Sequence, residues 1–592
     1  MMMTMTRSAM VAPAAAAAAK DTTSGARLRR VFVGGGVDGR AVLRHQRGIT
    51  KSKSTATRLS TSAVSPSAMM SSTSSSATMM TTTAVRRYCG GSAGRVHRGA
   101  GLVPTAVAEP TSTTASEASD DDGEFNWHMQ WYPVAFVSDL TDGTPMPFTL
   151  LGEPLVFWKD TKSGEYRCTA DKCPHRLVPL SEGRVNEKGE IECGYHGWTF
   201  DGKSGKCTSI PQLPSSGTAL DTALASPRSC VTPYPVKVAQ GMLWVLPINA
   251  FEAPSEEDMP PLPLIPELDD PDCVVQDIFR DLPMDYGTLL ENVMDVSHVP
   301  FTHHNSVGKR ENATPVMLEM VGDLKPGGFT GIWREGPRKG KYGSQYTEFQ
   351  APTLMRHTLK TEQFTTLTVV YAVPTTPGRC RLMARFPFIF KSPLPRFFFK
   401  LVPEWYSHLN QNAILEDDQI FLHKQERLIE QAREVEGLGY AQACYMPTKA
   451  DVYVSAFRRW IKDIAGGSPA WPKGMENTLP PQETTKAALL DRYNSHTVNC
   501  KSCSVALANL TKARKVLKVA SLVALAVAAA AFARQMPTMK VVGAALLSAA
   551  LAGVREFFGG LIGKMHVGPY PPPRRPPSMM EAALESARIA NI

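Results

Sequence analysis

Hydrophobic and polar positions change their spacing several times along this chain, and each change marks a predicted element. Between 147 and 247 the apolar positions fall in short runs divided by Gly, Pro, Asp and Ser, the pattern of strands and turns. Residues 147–160 (PFTLLGEPLVFWKD) and 165–170 (EYRCTA) read as two strands around a Lys162-Ser163-Gly164 turn. A hairpin turn at 187–190, a strand–turn–strand at 197–207 and closing strands at 231–247 complete a small antiparallel β domain over 125–250. After a Pro-rich linker at 261–272 the spacing becomes mixed. Asn292, Asp295 and His298 recur every third position, so they are expected on one helical face, which Pro300 ends. Residues 364–372 and 379–390 alternate as sheet strands, and 411–426 (QNAILEDDQIFLHKQE) carries one apolar face as a helix. Phe397, Phe398 and Phe399 read as core. The expected fold class is α+β: an antiparallel β domain, then an α+β, helix-grip-like domain over 270–475.

Two further stretches, 519–533 and 541–554, are almost wholly apolar and are separated by RQMPTMK. Each is marginal alone; together they predict a two-helix membrane anchor over 516–564, with a soluble Ala-rich helix pair as the alternative. A hairpin returns the tail, 568–592, to the side of the 270–475 domain. The first 115 residues lack this patterning. They are rich in Ser, Thr, Ala, Met and Arg, with no Glu before Glu109, the composition of an organelle transit segment and linker, chloroplast ahead of mitochondrion.

Charge changes the picture less than its total suggests. The net +9 is concentrated in residues 1–108, which hold 15 Lys/Arg against Asp21 and Asp38, so the remainder is about −4 and no nucleic-acid partner is implied. Eleven Cys in 592 residues make no disulfide scaffold. Cys168, Cys207 and Cys230 read as buried apolar residues. Gly34-x-Gly36-x2-Gly39 lacks an acidic residue near position 58 and a surrounding βαβ unit, so no NAD or flavin site is read there.

The candidate chemistry sits in two places. Cys173-x-His175, then Cys193-x2-His196, pairs one thiolate with one imidazole in each of two loops. That is the ligand set of a Rieske [2Fe–2S] cluster, one iron on two Cys and the other on two His; zinc would more often take C-x2-C and H-x3-5-H pairs. The second place is His298-x4-His303. On one straight helix these would lie about 140° apart, so the chain must turn at Pro300 for both to reach one metal. Two His and one carboxylate make the facial triad of a non-haem Fe(II) site. Glu416, Asp417 and Asp418 all offer the carboxylate, and spacing alone does not choose among them. His304, His357, His408 and His423 lack such context and read as structural. Cys500-x2-Cys503, with His496 before it, spans a segment at 485–510. Zinc there would need a fourth ligand that the local sequence lacks, and a redox dithiol is the alternative.

CPHR and C-x2-HGW resemble the Rieske domain of ring-hydroxylating-type oxygenases; the extra loop Cys of cytochrome-complex Rieske proteins is missing from both loops. The order of leader, Rieske domain, N-x2-D-x2-H-x4-H, C-x2-C and apolar hairpin is similar to the pheophorbide a oxygenase family of plastids, which includes translocon-associated and protochlorophyllide-linked relatives. The strings SIPQLP, IPELDDP, MPTKADVYVSAFRRW and HTVNCKSC carry the resemblance over about 125–565. It implies Asp418 as the third ligand, because Gln425 follows it by seven residues. It implies Asp295 as a relay between a cluster His of one subunit and a metal His of the next, usually in a trimer, with Asn292 in the same motif. It also implies ferredoxin as donor, O₂ as co-substrate and a chlorophyll-derived tetrapyrrole as substrate, at an envelope or thylakoid membrane with the catalytic part in the stroma. The rival readings are a redox-sensing component of the import machinery, with Cys500 and Cys503 as its working thiols, and a chlorophyllide a oxygenase-like enzyme.

Overall fold

The computed structural model describes residues 125–476 and 479–568. The leader with its G-x-G-x2-G string, the acidic run at 117–124 and the tail from 569 lie outside the described residues.

The first part consists of short strands: β1 (Tyr132–Phe136), β2 (Met146–Leu150), β3 (Glu153–Lys159), β4 (Tyr166–Ala170), β5 (Arg184–Val185), β6 (Ile191–Glu192), β7 (Thr199–Phe200) and β8 (Cys207–Ser209), then helix α1 (Thr218–Ala225), β9 (Val236–Ala239) and β10 (Met242–Val245). They pair antiparallel in three small sheets, β1-β10-β9, β2-β3-β4 and β5-β6-β7-β8. Residues 147–160, expected as one strand, are two. Leu151 and Gly152 both take positive φ (50° and 79°) and turn β2 back onto β3, the conformation of a tight two-residue hairpin. Their amides donate to the carbonyls of Pro374 and Thr375, fixing this hairpin against the second part. Cys168 and Cys207 are buried as expected; Cys230 is only half-buried.

The second part is one seven-stranded antiparallel sheet: β11 (Cys273–Leu282), β12 (Leu318–Lys325), β13 (Gly328–Trp333), β14 (Gln345–Gln350), β15 (Leu354–Lys360), β16 (Phe364–Thr376) and β17 (Arg379–Phe390). The spatial order is β11-β17-β16-β15-β14-β13-β12. After β11 the chain therefore crosses to the far edge and meanders back. The crossing segment carries α2 (Tyr286–Met294) and α3 (Val299–Thr302), and α2 lies over the sheet with Leu289, Leu290 and Met294 buried. After β17 come α4 (Pro393–Leu401), the long α5 (Glu404–Glu436), α6 (Tyr440–Ala443), α7 (Val452–Asp463), α8 (Lys486–Leu489), α9 (Lys501–Ala533) and α10 (Thr538–His566). One continuous apolar core joins both parts, from Trp127, Tyr132 and Trp244 to Tyr371, Phe457 and Trp460. The α+β class is as read.

Three expectations need correction. The helix before the His pair ends at Met294, not at Pro300. The Asp295 side chain accepts the backbone N–H and hydroxyl of Ser297 at 2.8 and 2.6 Å, a local turn that competes with helix. Pro300 instead sits in the first turn of α3, where its missing N–H costs nothing. Phe397 and Phe398 are not core: each is 57% exposed, while Phe399 packs on Phe388 and Phe390. Finally, the divide expected between a C-x2-C segment ending at 510 and an anchor starting at 516 falls inside one unbroken helix, α9.

α9 and α10 are both long and apolar enough to cross a membrane. Their contact is a stripe of small residues, Ser521, Ala524, Ala528 and Ala531, and the Ser548 hydroxyl donates to the Ser521 carbonyl at 2.8 Å. Small residues let two helices approach closely. Val519, Leu522, Val523, Phe532, Leu546 and Leu547 face outward, each at least half exposed, far more apolar surface than a soluble face carries.

Candidate active site

The two cluster loops are built alike. In each, the N–H four residues after the Cys donates to the Cys carbonyl: Leu177 to Cys173 at 2.8 Å and Gly197 to Cys193 at 2.9 Å. In each, the Cys N–H donates to the carbonyl five residues on, Val178 or Trp198, at 2.8 Å. Closing such a loop needs positive φ at its fourth position. Gly197 supplies it freely (φ 72°), whereas Leu177 adopts it against its own Cβ (φ 59°). Cys173 and Cys193 are buried over a small core of Val156, Trp158, Ile191 and Phe200. His175 and His196 lie at the rim, ring centroids 4.6 Å apart, with Trp198 stacked on His175. The Nδ1 of His175 is buried without a hydrogen-bond partner, as expected of a nitrogen reserved for a metal. Two buried thiols beneath two converging imidazoles fit a [2Fe–2S] group held by Cys173, Cys193, His175 and His196.

The second constellation lies where α2, α3 and α5 meet. His298 Nε2 and His303 Nε2 are 3.3 Å apart, and Asp418 Oδ2 is 3.7 and 3.1 Å from them. All three donor atoms lie within 4.8 Å of one another, so two imidazoles and one carboxylate share one point, the donor set of a mononuclear iron triad.

The three acids that spacing could not separate point three ways, as successive residues on a helix must. Asp418 joins the His pair. Asp417 Oδ2 lies 3.4 Å from His303 Nδ1 and accepts the Ser306 hydroxyl at 3.3 Å. Glu416 turns inward to Arg280 and Arg492. Burial alone would lower the His303 pKa, but hydrogen bonds to Asp417 and Asp418 outweigh it and raise it to about 9. Asp295 places Oδ2 3.7 Å from His298 Nδ1. Burial pushes its carboxyl up, and His298 and Ser297 more than offset that, leaving it below the ordinary range. Asn292 stands one turn earlier, half-buried, its carbonyl accepting the Asp295 N–H at 3.2 Å.

His357 and His423 make backbone contacts, to Val293 and to Pro283 and Glu483, in keeping with structural roles. His408 likewise contacts a backbone carbonyl, that of Asp277 at 2.8 Å, and in addition lies with His496, Cys500 and Cys503 in a wholly buried group. Its distance along the chain, 88 residues from His496, left no local signal. Asp417 was visible only as one of three equivalent acids.

Two family models match the chain, Rieske [2Fe-2S] domain over residues 130–234 and Pheophorbide a oxygenase over 349–436. Among known proteins it is 36% identical to "Pheophorbide a oxygenase, chloroplastic" of Oryza sativa subsp. japonica, over 76% of this chain and 86% of that one. It is 35% identical to "Flavonoid 8-hydroxylase 2, chloroplastic" of Ocimum basilicum, over 73% and 83%. It is 31% identical to "Protochlorophyllide-dependent translocon component 52, chloroplastic" of Arabidopsis thaliana, over 70% and 78%. Paired thiol–imidazole loops, a two-His-one-carboxylate group and likeness over 78–86% of the length of these relatives lead to one conclusion: the chain belongs to the pheophorbide a oxygenase family of Rieske non-haem iron oxygenases, whose cofactors are a [2Fe–2S] cluster and a mononuclear iron.

Proposed function

We infer that this chain is a membrane-anchored monooxygenase of a chlorophyll-derived tetrapyrrole, pheophorbide a first among them, supplied with electrons by ferredoxin or a similar donor. The observation that carries the reading is the meeting of His298, His303 and Asp418, because neither an electron carrier nor a thiol sensor has use for it. When bound, the cluster supplies single electrons and the iron supplies the site of O₂ activation. The protein's part is orientation. The carboxylate of Asp417 takes the Nδ1–H of His303, leaving Nε2 as donor. Asp295 stands behind His298 without yet bonding it: Ser297 occupies its Oδ1, and Oδ2 lies 3.7 Å from the otherwise unpartnered His298 Nδ1, close enough to orient the imidazole electrostatically. One third of the Asp295 side chain is exposed, room for a cluster His of a neighbouring subunit in a trimer. The tetrapyrrole assignment and the chloroplast follow the relatives' names; the membrane follows α9 and α10, and a stromal catalytic part belongs to the same proposal.

The test is turnover by full-length protein in lipid vesicles with reduced ferredoxin and O₂. The panel is pheophorbide a, chlorophyllide a, protochlorophyllide and a flavone. Pheophorbide a should lead by at least about tenfold in kcat/KM, and His298→Ala should abolish turnover while keeping the cluster's visible spectrum. Preference for the flavone would move the substrate class. No turnover of any compound by iron-replete protein would favour the rival, a redox-sensing component of the import machinery.

A further inference from the structure

We propose that His408, His496, Cys500 and Cys503 form a tetrahedral zinc site that clamps the membrane hairpin to the helix carrying Asp418. The four come from three elements. His408 is on α5, His496 lies in the π-helical turn before α9, and the two thiols begin α9. All are buried and their donor atoms lie within 4.8 Å of one another. His408 Nδ1 is 3.1 Å from His496 Nε2, 3.6 Å from Cys500 Sγ and 3.4 Å from Cys503 Sγ; Cys503 Sγ is 3.3 Å from His496 Nε2. A zinc tetrahedron with bonds of about 2.05 Å to N and 2.3 Å to S has edges of about 3.3 Å (N···N) and 3.6 Å (N···S). The observed edges match within about 0.3 Å.

The imidazoles give the stronger argument. His408 Nε2 donates to the Asp277 carbonyl at 2.8 Å, and His496 Nδ1 donates to the Phe279 carbonyl at 2.7 Å. A carbonyl can only accept, so each of these nitrogens carries its ring's proton. The other two, His408 Nδ1 and His496 Nε2, then present lone pairs to each other across 3.1 Å. That contact is relieved by a proton or by a metal cation held between them, and with both thiols on the same two nitrogens a metal satisfies all four donors at once. Backbone carbonyls behind both imidazoles are the usual second support of a metal-bound His. Two soft thiols and two imidazoles in a closed, buried group select zinc over harder ions. Asp139, which accepts the Lys501 amide at 2.9 Å, is the acid bordering Cys500.

The proposal is tested on full-length protein purified under reducing conditions from zinc-supplemented cells. Elemental analysis should find one zinc per chain beside the iron, and zinc-edge X-ray absorption should show two sulfur and two nitrogen ligands. His408→Gln and Cys503→Ser should each lower zinc content at least about tenfold while leaving the cluster's visible spectrum intact. Should either variant fail to fold, the absorption spectrum of the unaltered protein decides. Iron-replete protein without zinc, a Cys500–Cys503 disulfide in the purified protein, a spectrum with fewer than two sulfurs, or undiminished zinc in His408→Gln would each overturn it. None of these readouts needs turnover, so the result stands apart from the substrate assignment.

Discussion

Glu416→Gln should destabilise the protein by about 3–5 kcal/mol, although the side chain keeps its shape and lies outside the iron ligands. Glu416 is 1% exposed and accepts from Arg280 Nη1 at 2.8 Å and from Arg492 Nε and Nη2 at 2.7 and 2.6 Å. Both guanidiniums are as deeply buried. Burial already holds the Arg280 pKa below its ordinary value, with Glu416 opposing that shift. Removing the one carboxylate leaves two like charges away from water. Arg492 also donates from Nη1 to the Lys564 carbonyl on α10, so the triad ties α5, β11 and the hairpin together. For a folded body of roughly 440 residues the unfolding entropy is about 0.9 kcal/mol per kelvin, so the midpoint should fall by about 3–6 °C. Calorimetry at one fixed scan rate measures this, with the exposed Glu404→Gln on the same helix as control. Replacing all three residues, Arg280→Met, Glu416→Leu and Arg492→Met, should recover most of the loss, since the penalty is the unpaired charge. A Glu416→Gln midpoint within about 1 °C of the parent would refute the reasoning.

Other perturbations follow from the same geometry. Burial lowers the His357 pKa to about 4, with the Val293 carbonyl opposing. The unfolded chain therefore binds the extra proton first, and stability should rise between about pH 4 and 6.5 by about 3 kcal/mol; His357→Gln should flatten that stretch of the unfolding profile. Leu177→Gly should stabilise the cluster fold by about 0.5 kcal/mol, seen as a raised guanidinium midpoint for bleaching the cluster, because Gly meets the positive φ without strain. A lowered midpoint would mean that the exposed Leu177 side chain has a partner. Asp295→Asn should retain both metals yet slow substrate-linked reoxidation of the cluster by about 10–100-fold. An unchanged rate in stopped-flow absorbance would remove the orienting role.

What the sequence disclosed depended on how far apart the partners lie. The cluster ligands were legible because each loop closes on itself within five residues, Cys173 to Val178 and Cys193 to Trp198. The His298–His303 pair was legible as chemistry but not as geometry. The break was placed at Pro300, whereas the Asp295–Ser297 turn makes it. The different duties of Glu416, Asp417 and Asp418 were beyond spacing, since Arg280 and His303 meet them from 136 and 114 residues away. The β2–β3 turn was hidden because Leu151 takes a conformation usually left to Asn or Gly. Phe397 and Phe398 misled because an apolar run does not say whether it faces a core or a membrane surface.

The continuity of α9 has a mechanical result. A helix of 33 residues is about 50 Å long, against a hydrocarbon layer of about 30 Å. With α9 crossing a bilayer as proposed above, some 20 Å of the same rod would stand clear of the lipid as a post. A floppy tether would let the oxygenase roam a hemisphere above the bilayer. A post would hold it at one height, so a substrate of the proposed kind, arriving through the lipid, would always meet the same side of the protein.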